Sequence, residues 1–215
     1  IPLDLQKNAL EIVSRLEQEY PLADCTLDYD EGYQLLVSVR LAAQCTDERV
    51  NKVTPALFEA YPSVEAFSNA DPADVEPYIR SCGFFRAKAR DIVGAAKMIV
   101  ENYGGRVPNT MEELLKLPGV GRKTANLILG DLYKTPGAVV VDTHCIRRSN
   151  RRGLVNTKDP VEIEMRLREL IPPEKSSDFC HRLVHHGRAV CTARSPKCDA
   201  CCVREFCAMG RKSEN

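Results

Sequence analysis

Four cysteines near the C-terminus have the spacing of a metal or cluster site. Cys191, Cys198, Cys201 and Cys207 fall within seventeen residues and are separated by polar residues and a proline. Thiolates at this spacing can converge on one tetrahedral zinc ion or on one iron–sulfur cubane. Spacing alone leaves both open, and Cys202 is a further thiol beside Cys201 that can either substitute as a ligand or stay free.

A glycine-rich turn is the second feature with chemical potential, in the sequence LPGVGRKTA that begins at Leu117. Gly119 and Gly121 tolerate positive φ and carry no Cβ, so N–H groups at the next helix start can approach a phosphate closely. Such a turn holds a nucleic-acid backbone without reading its sequence. Taken alone, this sequence is equally compatible with a tight helix–helix turn that binds no ligand.

A lysine and an aspartate flank the second helix of this turn. Lys123 lies in the first turn of the helix, where the positive end of the helix dipole disfavours a cation. If the side chain is also partly desolvated, a larger fraction of its amine is neutral and nucleophilic. Asp142 follows an apolar run at the start of the next helix, where a carboxylate serves either as a plain N-cap or as a rigidly held functional group. The two would share one cleft if the chain folds back.

Helical elements position all of these residues. Nearly every segment has the apolar spacing of an amphipathic helix and strand signals are nearly absent, so the sequence predicts an all-α fold. Helices are predicted over 86–102, 111–117, 122–133, 143–152, 160–170 and 177–190. Predicted N-caps are Thr46, Ser63, Asp71, Thr110 with Glu113, and Ser177. The one β-like stretch, 138–141, is too short for a sheet and is interpreted as a buried extended connection.

Composition describes a globular protein. Of the 215 residues 44% are hydrophobic and 28% are charged, and no apolar run approaches the roughly 18 residues that a membrane span requires. The first residues lack the basic start and apolar run of a signal peptide, so we expect an intracellular protein. Thirty basic residues balance thirty acidic ones. The segment 121–158 nevertheless carries eight Lys or Arg against two Asp, which indicates either a phosphate-tracking surface or a solvated basic helix face.

The motifs resemble those of the helix-hairpin-helix DNA glycosylase superfamily, specifically its iron–sulfur branch, the endonuclease III family. The resemblance rests first on the turn at 117–125, on VDTH at 141–144 and on Arg147 and Asn150-Arg151 beyond it. The sequence LAAQ at 41–44, followed by Thr46-Asp47 and Asn51-Lys52, is similar to the family's DNA-facing helix and loop. The sequence CGFF at 82–85, with Lys88-Ala89 beyond it, is similar to the family's second strand-facing loop. These matches run from about residue 30 to residue 207, which is most of the chain.

The resemblance implies a role for each matching residue. Lys123 would be the nucleophile that attacks the sugar C1′, and Asp142 the carboxylate that supports oxocarbenium-like charge and assists proton transfer. Gln44 matches the residue that enters the space of a flipped nucleotide, and Phe84 takes a wedge position where the family more often has an aliphatic residue. The other expected DNA contacts are Gly119, Val120, Gly121, Arg122, Thr124, His144 and Arg147.

The resemblance also implies an architecture and a cofactor. Two helical lobes would flank a DNA-binding cleft. One is a helical barrel over 25–136, with the helix-hairpin-helix at about 110–133. The other is an iron–sulfur lobe of 1–24 and 137–215, with its cluster loop at 191–207. A [4Fe–4S] cluster would be held by Cys191, Cys198, Cys201 and Cys207.

The implied activity is that of a bifunctional DNA N-glycosylase and AP lyase of base excision repair. Such an enzyme excises oxidised pyrimidines from damaged double-stranded DNA and cuts the abasic strand by β-elimination through a lysine Schiff base. We expect a monomer without membrane contact, in a bacterial-type cytoplasm or nucleoid.

Three other interpretations compete with this one. Adenine-type glycosylases of the superfamily lack the nucleophilic lysine and add a C-terminal recognition domain, whereas here Lys123 is present and eight residues follow Cys207. A DNA-binding module without chemistry would be favoured by the loss of Lys123 or Asp142, and both are present. A zinc-stabilised scaffold explains none of the spacing between the turn and the carboxylate.

Overall fold

The computed structural model describes residues 1–212, which form an all-α fold. The α-helices of these residues are α1 (Leu3–Glu19), α2 (Gly32–Leu41), α3 (Asp47–Ala60), α4 (Val64–Ser68), α5 (Pro72–Ile79), α6 (Phe85–Asn102), α7 (Met111–Leu114), α8 (Arg122–Asp131), α9 (Thr143–Arg152), α10 (Pro160–Leu170), α11 (Ser176–Ala189) and α12 (Ala208–Lys212). Short 3-10 turns occur at Arg80–Cys82, Pro173–Lys175, Cys198–Ala200 and Arg204–Phe206. Residues 1–212 contain no strand, which confirms the predicted fold class. None of their helices is long and apolar enough to cross a membrane.

Side-chain caps explain where most of these helices begin. Thr46, Ser63, Asp71 and Thr110 each accept a backbone N–H of the first turn, as the sequence predicts. The predicted cap at Ser177 is wrong. There the helix begins one residue earlier, because the preceding 3-10 turn runs directly into α11 and leaves no extended residue to act as a cap.

The chain divides into two compact units. One unit is Cys25–Tyr133, and the other combines Ile1–Asp24 with the chain from Lys134 onward. The unit boundary falls at Lys134, which has a positive φ of 52°.

In the unit Cys25–Tyr133, α6 is the central packing element. It lies against α2, α4 and α5, and α8 packs on α2 and α7. Large apolar side chains such as Leu35, Phe67 and Ile99 have almost no exposed surface in this core. The helices α2 and α6 are packed in this core. The short segment that follows α7 and the one that precedes α6 are therefore both anchored to packed helices.

In the other unit, α11 packs against α1 and α9, while α10 also contacts α1. The segment 138–141 is neither helix nor strand, and Val139 is only 1% exposed among the apolar residues of this core. The predicted buried connection is therefore confirmed. Asp142 follows directly, so it lies at the edge of a packed core and at the start of α9.

Candidate active site

The glycine-rich turn joins α7 to α8. The first helix ends at Leu114, three residues before the predicted end, because the N–H groups of Lys116 and Leu117 bond to the third residue back and tighten the chain into a turn. Gly119 then adopts a φ of 76°, a left-handed conformation that favours glycine. The Val120 N–H closes the turn on the Leu117 carbonyl at 3.2 Å.

An ion pair that the sequence does not predict lies beside this turn. Arg40 donates from Nε and Nη2 to Oδ2 of Asp91, both at 2.8 Å. A Cβ on Gly119 would lie 2.8 Å from the Arg40 Nε and 2.8 Å from Asp91 Oδ2. Gly119 is thus required both by its φ and by the closeness of this pair.

Gly121 differs from Gly119 and corrects one expectation. It is the N-cap of α8 with a φ of −98°, so its backbone does not require glycine. A Cβ there would meet nothing within 4 Å. Neither backbone strain nor packing within the protein accounts for this glycine, which leaves an open approach to the first N–H groups of α8.

Lys123 lies in the first turn of α8, as predicted, and its side chain is exposed. The partial desolvation that the sequence analysis considered for this side chain is therefore not present in this structure. Val120, Arg122 and Thr124, the neighbours named as DNA contacts, are half-buried along the same turn.

Asp142 is the N-cap of α9. Its Oδ1 accepts the N–H of Cys145 at 2.6 Å, and the residue is half-buried. This hydrogen bond fixes the carboxylate at the end of the segment 138–141. Lys123 and Asp142 belong to different units, so their pairing in one cleft stays a prediction.

His144 and Arg147 are neighbours on the first turns of α9. Arg147 Nη2 lies 3.4 Å from Nδ1 of His144. Burial lowers the pKa of His144, the charge of Asp142 opposes that shift, and nearby arginines including Arg148 add to it. A lowered pKa favours the neutral imidazole at neutral pH.

Gln44 and Phe84 share an unusual backbone. Both have positive φ, 53° and 46°, although neither is a glycine, and both side chains are exposed. Phe84 is the N-cap of α6 and is 66% exposed, a large apolar surface for one residue. A left-handed backbone is strained in a non-glycine residue and persists only where the surrounding structure holds it. Such residues cluster at functional sites.

The basic segment does not form the continuous surface that its composition suggests. Arg148 and Arg152 are buried, and Arg151 donates to the carbonyls of Thr192 and Ala193 at 2.7 Å each. Gly187 on α11 makes room for Arg148, because a Cβ there would overlap the guanidinium. Three of the eight basic residues therefore turn inward.

The four predicted cysteine ligands line one pocket. Cys191, Cys198, Cys201 and Cys207 surround about 340 Å³ of space that is partly open to solvent. Cys202 does not line this pocket and packs against the apolar core of its unit. Among residues 1–212 no three His, Cys, Asp or Glu side chains are arranged to hold a single metal ion.

Side-chain nitrogens lie within hydrogen-bond distance of two of these sulfurs. Arg151 Nη1 lies 3.4 Å from the sulfur of Cys191, and His186 Nε2 lies 3.2 Å from that of Cys201. Nδ1 of the same imidazole lies 2.9 Å from the hydroxyl of Tyr20. Four thiols around one space, two of them with a side-chain nitrogen within hydrogen-bond distance of the sulfur, fit an iron–sulfur cluster.

Comparison with known proteins places the chain in a family. The model of the HhH-GPD superfamily of base excision DNA repair proteins matches residues 37–173, and the iron–sulfur binding domain of endonuclease III matches residues 191–207. Endonuclease III of Synechocystis sp. (strain ATCC 27184 / PCC 6803 / Kazusa) is 49% identical over 208 residues, which cover 97% of this chain and 95% of that protein. The chain belongs to the endonuclease III family.

Other relatives agree with this membership. Endonuclease III of Escherichia coli (strain K12) is 35% identical, with 94% of this chain and 96% of that protein covered. A solved structure of a trapped endonuclease III–DNA covalent intermediate, an estranged-adenine complex, has a TM-score of 0.90 and 38% identity. It covers 98% of this chain and 99% of that chain.

Family membership determines the reaction class and the cofactor. The protein is a DNA-binding base excision repair enzyme, a DNA glycosylase that is also an AP lyase, and it carries a [4Fe–4S] cluster. The alternatives of a zinc-stabilised scaffold and of a DNA-binding module without chemistry are therefore wrong.

Proposed function

We propose that this endonuclease III family member excises oxidised pyrimidines from duplex DNA with Lys123 as its nucleophile and Asp142 as its carboxylate. The observation that carries the proposal is the placement of Lys123, which is exposed in the first turn of α8, two residues after the open N-cap Gly121. A relative 38% identical to this chain was solved as a trapped covalent intermediate with DNA, which supports a covalent route.

The choice of a lysine nucleophile accounts for both activities. The neutral amine of Lys123 forms a bond to C1′ while the bond from C1′ to the base breaks, and the base leaves with a proton. The sugar ring then opens and the amine nitrogen forms a Schiff base with C1′. Loss of a proton from C2′ expels the 3′ phosphate by β-elimination, and water releases the lysine. A carboxylate that only activated water would stop at the abasic site.

Asp142 supplies a fixed negative charge. Its hydrogen bond to the N–H of Cys145 restricts the carboxylate to one orientation at the start of α9. Positive charge that develops on the sugar as the base departs is stabilised by a carboxylate already oriented for it. The same group assists the proton transfers.

The DNA contacts follow from exposure and backbone geometry. N–H groups around Gly119 and Gly121 bind phosphate at the positive end of α8. Gln44 fills the space left by the flipped nucleotide, and Phe84 wedges into the base stack, because a stacked base hides its glycosidic bond. The further contacts are Val120, Arg122, Thr124, His144 and Arg147.

The cluster has a structural role in this proposal. Cys191, Cys198, Cys201 and Cys207 hold it, and it orders a loop that Arg151 ties to α9 through two carbonyls. The units Cys25–Tyr133 and its companion act as the helical barrel and the cluster lobe. The protein works as a monomer in the bacterial-type cytoplasm or nucleoid.

Borohydride trapping tests the proposal directly. The protein is incubated with a thymine glycol duplex and with an abasic duplex in the presence of borohydride, which reduces a Schiff base to a stable adduct. Lys123→Ala removes the proposed nucleophile. Lys116→Ala is the matched control, since Lys116 is another exposed lysine close to the same turn.

Each outcome has a definite meaning. Adducts on both duplexes that vanish only in Lys123→Ala support the nucleophile and the pyrimidine substrate together. An adduct on the abasic duplex alone would retain the lyase and refute the substrate. An adduct that survives in Lys123→Ala would place the nucleophile elsewhere.

A further inference from the structure

We propose that Lys88 is a positioning residue whose buried ammonium holds the Gln44 and Phe84 loops in the shape in which they enter DNA. The inference rests on the DNA roles proposed above for those two residues. It assigns a function to a lysine that belongs to the second loop motif of the sequence but has no role indicated by that motif.

Lys88 lies on α6 and has no exposed surface. Its Nζ donates to the carbonyls of Leu41 at 2.9 Å, Ala43 at 2.8 Å and Cys82 at 3.0 Å. An ammonium has three N–H donors, so all of them are used. One side chain thereby joins three carbonyls from two distant stretches of chain.

The three acceptors are the kind that helices leave unpaired. Leu41 ends α2, Ala43 lies in the turn after it, and Cys82 ends the 3-10 turn Arg80–Cys82. Carbonyls at helix C-termini lack intrahelical partners and carry partial negative charge. A cation that binds them caps both segments at once, which a neutral side chain of the same length cannot do.

Each capped segment leads directly into a left-handed residue. Ala43 precedes Gln44, and Cys82 is two residues before Phe84. A positive φ in a non-glycine residue persists only where the surroundings hold it. The Lys88 bonds lie one residue before Gln44 and two residues before Phe84, so they help to hold both backbones, and they couple the two loops to each other.

Because Lys88 is buried, it contacts neither DNA nor the reacting groups. Burial is the largest cause that lowers the pKa of Lys88, and the nearby thiols of Cys82 and Cys45 act in the opposite direction. An enclosed ammonium is retained only when its hydrogen bonds are complete. Lys88 therefore acts through Gln44 and Phe84 and not by contact with DNA.

Binding to a stable abasic analogue tests this role. The ligands are a duplex with a tetrahydrofuran abasic site and the same duplex undamaged. Lys88→Met removes the ammonium, and Lys97→Met, an exposed lysine on the same helix, is the matched control. We expect Lys88→Met to lose about tenfold in its preference for the abasic duplex. Affinity for undamaged DNA, which depends on phosphate contacts, should stay within about twofold.

The ratio of the two affinities decides the matter. A Lys88→Met protein that keeps the full preference would overturn the proposal, as would an equal loss on both duplexes, because that indicates general damage to the fold. Binding to the analogue breaks no bond, so the measurement is valid even if the borohydride trapping at Lys123 fails.

Hydrogen exchange of Lys88→Arg covers the case in which Lys88→Met does not fold. Arginine keeps the charge but cannot direct three donors from one atom. The reporters are the N–H of Cys45, bonded to the Ala42 carbonyl, and that of Gly83, bonded to the Arg80 carbonyl. We expect both to exchange at least about tenfold faster, while the N–H of Tyr103 at the far end of α6 is unchanged. Unchanged reporters, or equal acceleration of all three, would overturn the proposal.

Discussion

Arg40 and Asp91 form an ion pair, 2.8 Å from Nε to Oδ2, that occupies the space beside Gly119 where any larger residue would place its Cβ. The pair links α2 to α6 underneath the glycine-rich turn. The proposed phosphate-binding backbone therefore lies against an ion pair that joins the two central helices of its unit.

The two glycines of this turn should respond differently to the same substitution. Gly119→Ala should lower the free energy of unfolding by about 2 kcal/mol, because it combines positive φ with a steric clash. Gly121→Ala should leave stability within about 0.5 kcal/mol, since its Cβ meets nothing, yet weaken DNA binding about tenfold. Urea denaturation and duplex binding measure the two effects. Normal DNA affinity in Gly121→Ala would contradict the proposed approach of phosphate.

Asp142 combines a cap with a charge, and two substitutions separate them. Asn can still cap α9 through its side-chain oxygen, so Asp142→Asn should keep the stability of the wild type within about 0.5 kcal/mol. Asp142→Ala should lose about 1 kcal/mol because the N–H of Cys145 loses its partner. Both should lower the single-turnover rate of base excision at least about a hundredfold. Full excision by Asp142→Asn would show that the carboxylate serves only as a cap.

Arg151 should slow the loss of the cluster from its loop. Arg151→Met removes the bonds to the carbonyls of Thr192 and Ala193, so the cluster should be lost several-fold faster in the presence of an iron chelator. The decay of cluster absorbance and the released iron report this loss. Lys158→Met, which removes an exposed charge from the same basic segment, is the control. Equal decay in the two variants would refute the role of Arg151.

His144 should contribute a pH dependence to stability. Burial holds its folded pKa below the unfolded value of about 6.5, so the unfolded chain binds more protons in that range. Its contribution to stability is complete above pH 6.5 and is lost as the pH falls through the lowered value. Urea unfolding between pH 7 and 5 should therefore show a shallower decline in His144→Gln. Identical slopes in the two proteins would contradict the assignment.

Local chemical signals made much of the fold predictable. The bounds of α9 match the prediction because Asp142 caps its start and Gly153, at a φ of 77°, ends it. The helix before the turn was predicted too long, since apolar spacing continues to Leu117 although the backbone tightens after Leu114. Periodicity records which side chains face inward, and it does not distinguish a helix from a tight turn.

The contacts that the sequence does not reveal are those whose partners have no recognisable side-chain pattern. Lys88 binds three carbonyls, a group that every residue carries, so the motif that contains Lys88 does not indicate its partners. The sequence places Arg148 in a basic segment, and nothing in it indicates that Gly187 leaves space for the guanidinium in the interior. By contrast, Lys123, Asp142 and the cysteine ligands stand in motifs that sequence alone makes visible.

The inward turn of Arg148, Arg151 and Arg152 affects how the enzyme finds its target. Of the eight basic residues in this segment, Lys123, Lys134 and Lys158 are exposed and the other five are half-buried or buried, so we expect undamaged DNA to bind less tightly than the sequence suggests. Lower non-specific affinity shortens each stay and speeds sliding and hopping along the duplex. The burial of Arg148 and Arg152 should therefore also affect how fast the protein searches DNA for damage.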